Sequence, residues 1–119
     1  MLNHVAEFLA ALSEELPGFR EQSEEHAQLY DETLPHVLVA DATRLVIAAH
    51  RRATRGDFAA AKTVDRVLRV FESALDRGDA VRELVALSFL DNLHQAGDEY
   101  EGLRAKLGNR LRAELARLE

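Results

Sequence analysis

The sequence predicts an all-α fold: a single domain over residues 1–119, built as a bundle of about six short helices that run antiparallel or orthogonal to one another. Three observations carry this prediction. Ala, Leu, Arg and Glu, which favour helix over strand, dominate the composition. Aromatic residues, which are common in strands, make up only 6% of the chain. Apolar residues recur at alternating steps of three and four, the spacing of one helix face.

The first two helices are separated by Pro17-Gly18, a strong break. Before this break one apolar stripe predicts the first helix; it consists of Leu2, Val5, Leu9, Leu12 and Leu16. After it, the chain from Phe19 to about Tyr30 predicts a second and more polar helix.

The third helix is predicted to begin at Pro35, because proline fits the first turn of a helix. Residues 37–49 are apolar on almost every side, which indicates a helix buried in the middle of the bundle. A buried strand over Val37–Ala40 is the alternative. The uninterrupted continuation to Arg52 favours the helix.

The remaining helices are predicted from three Gly-Asp junctions, in which glycine ends one helix and aspartate caps the next; they lie at 56–57, 78–79 and 97–98. Between them run apolar patterns from Phe58 to Leu75 and from 81 to 93, and Asp65 and Arg69 form an expected i,i+4 pair. The last apolar pattern covers 100–118, with Gly108-Asn109 as a candidate break.

Charge is distributed unevenly along the chain, whose net value is −6. Residues 1–34 carry eight acids and one base, a net of −7, whereas residues 35–56 carry four bases and one acid. An acidic surface repels phosphate groups, so no nucleic-acid partner is expected, and it attracts a basic protein. An ordinary solvated helix face is the alternative explanation.

Several classes of site are excluded or not indicated. The absence of cysteine excludes disulfides, thiolate metal sites and cysteine nucleophiles. No apolar run approaches the ~18–20 residues that span a bilayer, and no signal peptide is evident, so a cytoplasmic protein without a membrane partner is expected. No phosphate loop, nucleophile motif or cofactor motif is present, so no cofactor is expected and an enzyme is disfavoured.

Asp41 is the first candidate functional residue, because it interrupts the most apolar helix. A buried carboxylate must be paired or must titrate. Arg44, one turn further on, is its nearest expected partner, and His36 is within reach from the start of the helix. Three interpretations are open: a paired carboxylate inside the bundle, a binding site, and a catalytic group.

Further polar candidates lie on the fifth predicted helix. Ser88 and Asn92 are one turn apart on an apolar helix, and are expected to form hydrogen bonds across the bundle or to mark its border with solvent. Asp91 and His94 have the spacing of half a di-iron motif, but one half predicts no metal site, and a polar helix end is the favoured interpretation. The candidate binding residues are therefore His36, Asp41, Arg44, Asn92 and His94, with no catalytic residue assigned.

Two segments resemble a group of small uncharacterised bacterial proteins. In that group a helix start similar to Leu34-Pro35-His36-Val37 precedes a helix similar to the stretch from Leu87 to Leu93, and the likeness spans roughly residues 30–110. These proteins are similar to the small partners encoded beside bacterial toxins. The resemblance implies an all-helical fold and an immunity-type binding role, and it transfers no functional residue.

Together these observations predict a protein-binding module, in its narrower form an immunity- or antitoxin-like inhibitor whose acidic N-terminal third meets a basic partner. One alternative is a self-associating structural protein, a homodimer in which a leucine edge packs across a two-fold axis; the edge consists of Leu107, Leu111, Leu115 and Leu118. Another alternative is a small-ligand binder or enzyme centred on Asp41 and His36.

Overall fold

The computed structural model describes residues 3–30 and 34–119, apart from the Tyr30 side chain, and confirms the all-α prediction. Leu2 of the first predicted stripe lies outside these residues. The helices are α1 (His4–Glu15), α2 (Phe19–Tyr30), α3 (Pro35–Thr54), α4 (Phe58–Ala74), α5 (Asp79–Leu84), α6 (Tyr100–Lys106) and α7 (Asn109–Leu118). A π-helical turn (Val85–Phe89) and a 3₁₀ segment (Leu90–Glu99) connect α5 to α6. The strand alternative for Val37–Ala40 is wrong, because these residues are helical.

Helix α3 lies at the centre of the bundle, where it contacts α2, α4 and the π-helical turn. Its buried side chains join one continuous hydrophobic core to which every helix gives at least one residue; α2 contributes Phe19, its first residue. Helix α2 is anchored at its first residue and in its second half: Phe19 is buried in the core, and the buried His26 accepts a hydrogen bond from the backbone N–H of Leu34 at 2.9 Å. No helix in the described ranges is long and apolar enough to cross a membrane.

Three phenylalanines, one each from α1, α4 and the π-helical turn, pack against one another. The rings of Phe71 and Phe89 stack with centroids 3.7 Å apart, and Phe8 meets Phe71 edge to face at 5.6 Å. All three are fully buried. The edge-to-face pair of Phe8 and Phe71 adds to the stabilisation that burial alone supplies.

The predicted caps are only partly confirmed. Asp57 caps α4 as expected, since its Oδ1 accepts from the N–H of Ala60 at 3.0 Å. At the second junction Gly78 occupies the cap position and Asp79 is the first helical residue. At the third junction the expectation that Asp98 caps the last segment is wrong, because Glu99 precedes α6 in a helical conformation. The chain kinks at Gly97 (φ 61°) and is helical again before α6, so no extended residue is available to act as a cap.

A carboxylate from another helix caps α7. The Glu72 carboxylate on α4 accepts from the N–H groups of Arg110 at 2.8 Å and Leu111 at 3.2 Å. Gly108 stands at the cap position itself, where a Cβ would lie 2.4 Å from Glu72 Oε2. The predicted break at Gly108-Asn109 is confirmed. Because Gly108 has no side chain, the capping carboxylate of Glu72 has room beside it.

Two apolar predictions are wrong. Phe58 was expected in the core, but it is the first residue of α4, at the turn after α3, and 82% of it is exposed. The leucine edge expected to face a second copy is turned inward, because Leu107, Leu111 and Leu115 are buried in the core of their own chain. Only Leu118, 39% exposed, remains available at that edge.

Candidate functional site

A polar cluster joins the start of α3 to the π-helical turn and contains two of the predicted residues, His36 and Asn92. His36 Nδ1 lies 2.8 Å from Ser88 Oγ. The Ser88 carbonyl accepts hydrogen bonds from Asn92 Nδ2 at 2.8 Å and from Thr43 Oγ1 at 3.0 Å. Ser88 therefore forms hydrogen bonds across the bundle, to His36 and Thr43 of α3, as one of the two expectations stated. Asn92 bonds only within its own segment among the described residues, to Ser88 and Gln95.

The backbone explains why these side chains gather at Ser88. A π turn followed by a 3₁₀ segment breaks the regular i to i+4 ladder of backbone hydrogen bonds, so side chains must supply partners there. Thr43, fully buried in the middle of α3, is the donor that sequence reasoning missed. Ser88 itself is only 5% exposed, so its hydroxyl is placed to clamp two helices rather than to attack a substrate.

Asp41 and Arg44 form a separate pair on the outer side of α3. Arg44 Nη2 donates to Asp41 Oδ1, which confirms the expected partner. Of the three interpretations, the paired carboxylate inside the bundle agrees with the structure in its pairing but not in its burial, since 24% of the Asp41 side chain is exposed and Arg44 is an exposed residue. His36 bonds to Ser88 and not to Asp41, so the two residues of the ligand-binding alternative do not share a hydrogen bond.

His94 stands apart from the other candidates. It is exposed, and its Nδ1 lies 2.6 Å from the backbone carbonyl oxygen of Asp91, so the imidazole contacts the main chain of Asp91. Asn92 Oδ1 accepts from Gln95 and not from His94. Across residues 3–30 and 34–119, no group of three or more histidine and carboxylate side chains is placed to hold a metal ion.

The N-terminal third presents four exposed carboxylates on α1 and α2, here called the acidic face: Glu14, Glu21, Glu24 and Glu25. None has a base within 4 Å among the residues that the structure describes. Many carboxylates in the rest of the molecule are paired, as Asp57 is with Arg52 and Glu114 with Arg82. Within the described residues, the carboxylates of the acidic face therefore lack the basic partners that many other carboxylates have.

The acidic face borders a groove and an exposed apolar side chain. Glu14 and Glu21 line a groove of about 400 Å³ at the α1–α2 turn, together with Arg20. Leu29, further along α2, is 79% exposed. Glu21, Glu25 and Leu29 follow one another at steps of four, which places them on one side of α2.

His50 on α3 is a buried titratable residue that the sequence analysis did not identify. It is 3% exposed, and neither ring nitrogen has a hydrogen-bond partner among the described residues. Burial lowers the pKa of His50 below 6.5, nearby Lys106 lowers it further, and the Glu99 carboxylate, 3.5 Å from Nε2, opposes the shift. The backbone of α6 approaches so closely that a Cβ on Gly102 would lie 2.9 Å from Nε2.

Comparison with known proteins gives a match to a protein family. A family model described as a domain of unknown function, DUF7674, matches residues 9–119, which include both the acidic face and the Ser88 cluster. No curated protein and no solved structure matches the chain.

Proposed function

We propose a function for this chain, which belongs to the DUF7674 family: it is a protein-binding module that receives a basic partner on its acidic face. The observation that carries the proposal is that Glu14, Glu21, Glu24 and Glu25 are exposed and have no base within 4 Å among the described residues. Unpaired carboxylates on one surface produce a negative potential that attracts a positively charged protein and speeds its association.

Leu29 supports a docking role for this surface. Interfaces combine an apolar centre with a polar rim, and a leucine that is 79% exposed beside Glu25 supplies an apolar contact within a charged surround. An ordinary solvated helix face would need the charges but not the exposed leucine. The face therefore fits a partner that carries bases around an apolar pocket.

In its narrower form the proposal is an immunity- or antitoxin-like role, in which the basic partner is a toxin encoded by an adjacent gene. A small inhibitor needs a preformed surface and no catalytic group. The helices that carry the acidic face are tied to the core through Phe8, Leu12 and Phe19, so the face is held in place before any partner arrives.

The test is a binding measurement between this protein and the purified product of the adjacent gene at increasing ionic strength. We expect affinity to fall steeply with salt, because the attraction between exposed charges is screened within about 8–10 Å at 0.1–0.15 M salt. Binding that is absent, or insensitive to salt, contradicts the proposal.

A pair of charge-matched variants locates the surface. The variant E21Q/E24Q/E25Q removes three charges from the acidic face. The variant D79N/E83Q/D98N removes three exposed charges elsewhere that have no base within 4 Å in the described part of the chain. We expect the first to weaken binding by about tenfold or more and the second to leave it within about threefold. Equal losses in the two variants would mean that net charge, and not this face, attracts the partner.

A further inference from the structure

A groove between α1 and α4 collects arginines on the side of the molecule next to the acidic face. It measures about 330 Å³, and its lining contains three arginines, one carboxylate and one hydroxyl: Ala11, Glu15, Arg66, Arg69, Val70, Ser73 and Arg77. Two of these arginines, Arg66 and Arg69, are exposed residues of α4.

The three arginines differ in their partners. Arg77 Nη1 lies 3.1 Å from Glu7 Oε2, and so its charge is already balanced. Arg66 and Arg69 have no carboxylate within 4 Å among residues 3–30 and 34–119. The sequence predicted an Asp65–Arg69 pair, but that prediction is wrong, because Asp65 instead lies 3.9 Å from Lys106 on α6.

We propose that this groove is a binding site for a small, multiply charged phosphate-type oxyanion, held by the guanidinium groups of Arg66 and Arg69. A guanidinium donates two parallel hydrogen bonds to a phosphate or carboxylate group, and two of them three residues apart on one helix offer a paired fork. Ser73, one turn beyond Arg69 in the same lining, supplies a neutral hydroxyl that donates to a third oxygen.

The surroundings favour a small ligand over an acidic macromolecule. The volume is at the lower end of the range of small-molecule sites, which is about 300–1,000 Å³. The Glu15 carboxylate in the wall opposes any anion in the groove, and the two guanidinium groups of Arg66 and Arg69 outweigh it there. The acidic face continues beyond Glu15, so a large anion would meet further repulsion outside the groove. A small anion stays within the reach of the arginines. The site is distinct from the acidic face and does not depend on the proposed function.

Calorimetric titration with inorganic pyrophosphate, at constant ionic strength and pH 7.5, tests the site. We expect saturable binding of one pyrophosphate per chain, and R66Q/R69Q to weaken it by about tenfold or more. The matched control is R20Q/R55Q, which removes two exposed bases that lie outside this groove. The control is expected to stay within about twofold of the unaltered protein.

Amide chemical shifts of the unaltered protein give a second readout that does not rely on variants. We expect pyrophosphate to shift residues 66–77 and 11–15, the two walls of the groove, and to leave the α3–α4 turn unchanged. Titration without saturation, equal weakening in the two double variants, or shifts centred elsewhere would each overturn the proposal. If R66Q/R69Q does not fold, the shift map alone decides.

Discussion

His50 gives the sharpest prediction, because burial lowers its pKa against the opposing effect of Glu99, and this makes stability depend on pH. The unfolded chain exposes His50, which then titrates near 6.5, whereas the folded chain holds its pKa lower. Between these two pKa values the unfolded state binds a proton that the folded state does not. The free energy of unfolding therefore falls as pH decreases through this window and is fully retained above it.

The perturbation is His50→Leu, which replaces a buried polar ring by an apolar side chain of similar volume. Two buried nitrogens without hydrogen bonds cost about 1–3 kcal/mol, so we expect the variant to be more stable at pH 7.5 by roughly 1–2 kcal/mol. Acidification from pH 7.0 to 5.5 adds at most about 1.3 kcal/mol to the difference, since one pKa unit corresponds to about 1.4 kcal/mol and the folded histidine resists protonation.

The assay is urea denaturation followed by circular dichroism at several pH values between 5.5 and 7.5, with the free energy obtained from midpoint and slope. His4→Gln is the matched control, because 64% of that side chain is exposed, and its pH profile should follow that of the unaltered protein. The reasoning is refuted if His50→Leu destabilises the protein at pH 7.5, or if the difference between variant and parent is the same at both ends of the pH range.

Three further predictions follow from contacts between helices. Gly102→Ala should destabilise the protein by about 1–2 kcal/mol despite the better helix propensity of alanine, because the new Cβ meets the His50 ring. Urea denaturation of G102A checks this, and the double variant with His50→Ala should recover the loss. Thr43→Val removes the buried hydroxyl between Val39 and Ser88 and should cost about 1–2 kcal/mol, and an unchanged urea midpoint would show that the Ser88 carbonyl does not need it. Glu72→Gln should cost about 1 kcal/mol and raise amide hydrogen exchange most in α7, whereas exposed Glu83→Gln should leave that exchange unchanged.

The helices were largely predictable, because their signals are local. The predicted start of α3 at Pro35 and of α4 after Asp57 agree with the structure, since proline and an aspartate cap act within a single turn. The π-helical turn was not predicted. A π-helical turn adds one residue to a single turn of helix. The apolar arc around Ser88 is so wide that the apolar periodicity is the same with or without this extra residue.

The negative charge of the proposed docking surface was predictable from the sequence, but the pairing of individual charges was not. Counting charges located the acidic N-terminal third, whereas the pairing of Asp65 with Lys106 depends on how α4 meets α6, which no local rule states. His50 left a readable trace, since it lies seven residues after the buried Thr43 and four after Val46, on the inward side of α3. The apolar run around His50 was a reason to expect this histidine to be buried. The sequence prediction used that run only to expect burial of its aliphatic residues.

The capping of α7 by Glu72 has a consequence for how the molecule assembles. A segment of ten residues is too short to remain helical alone in water, and here the group that starts the helix belongs to α4, more than thirty residues earlier. We therefore expect the last helix to be stable only when α4 has placed Glu72 beside it, so that the helicity of the C-terminal segment reports on the folding of the bundle.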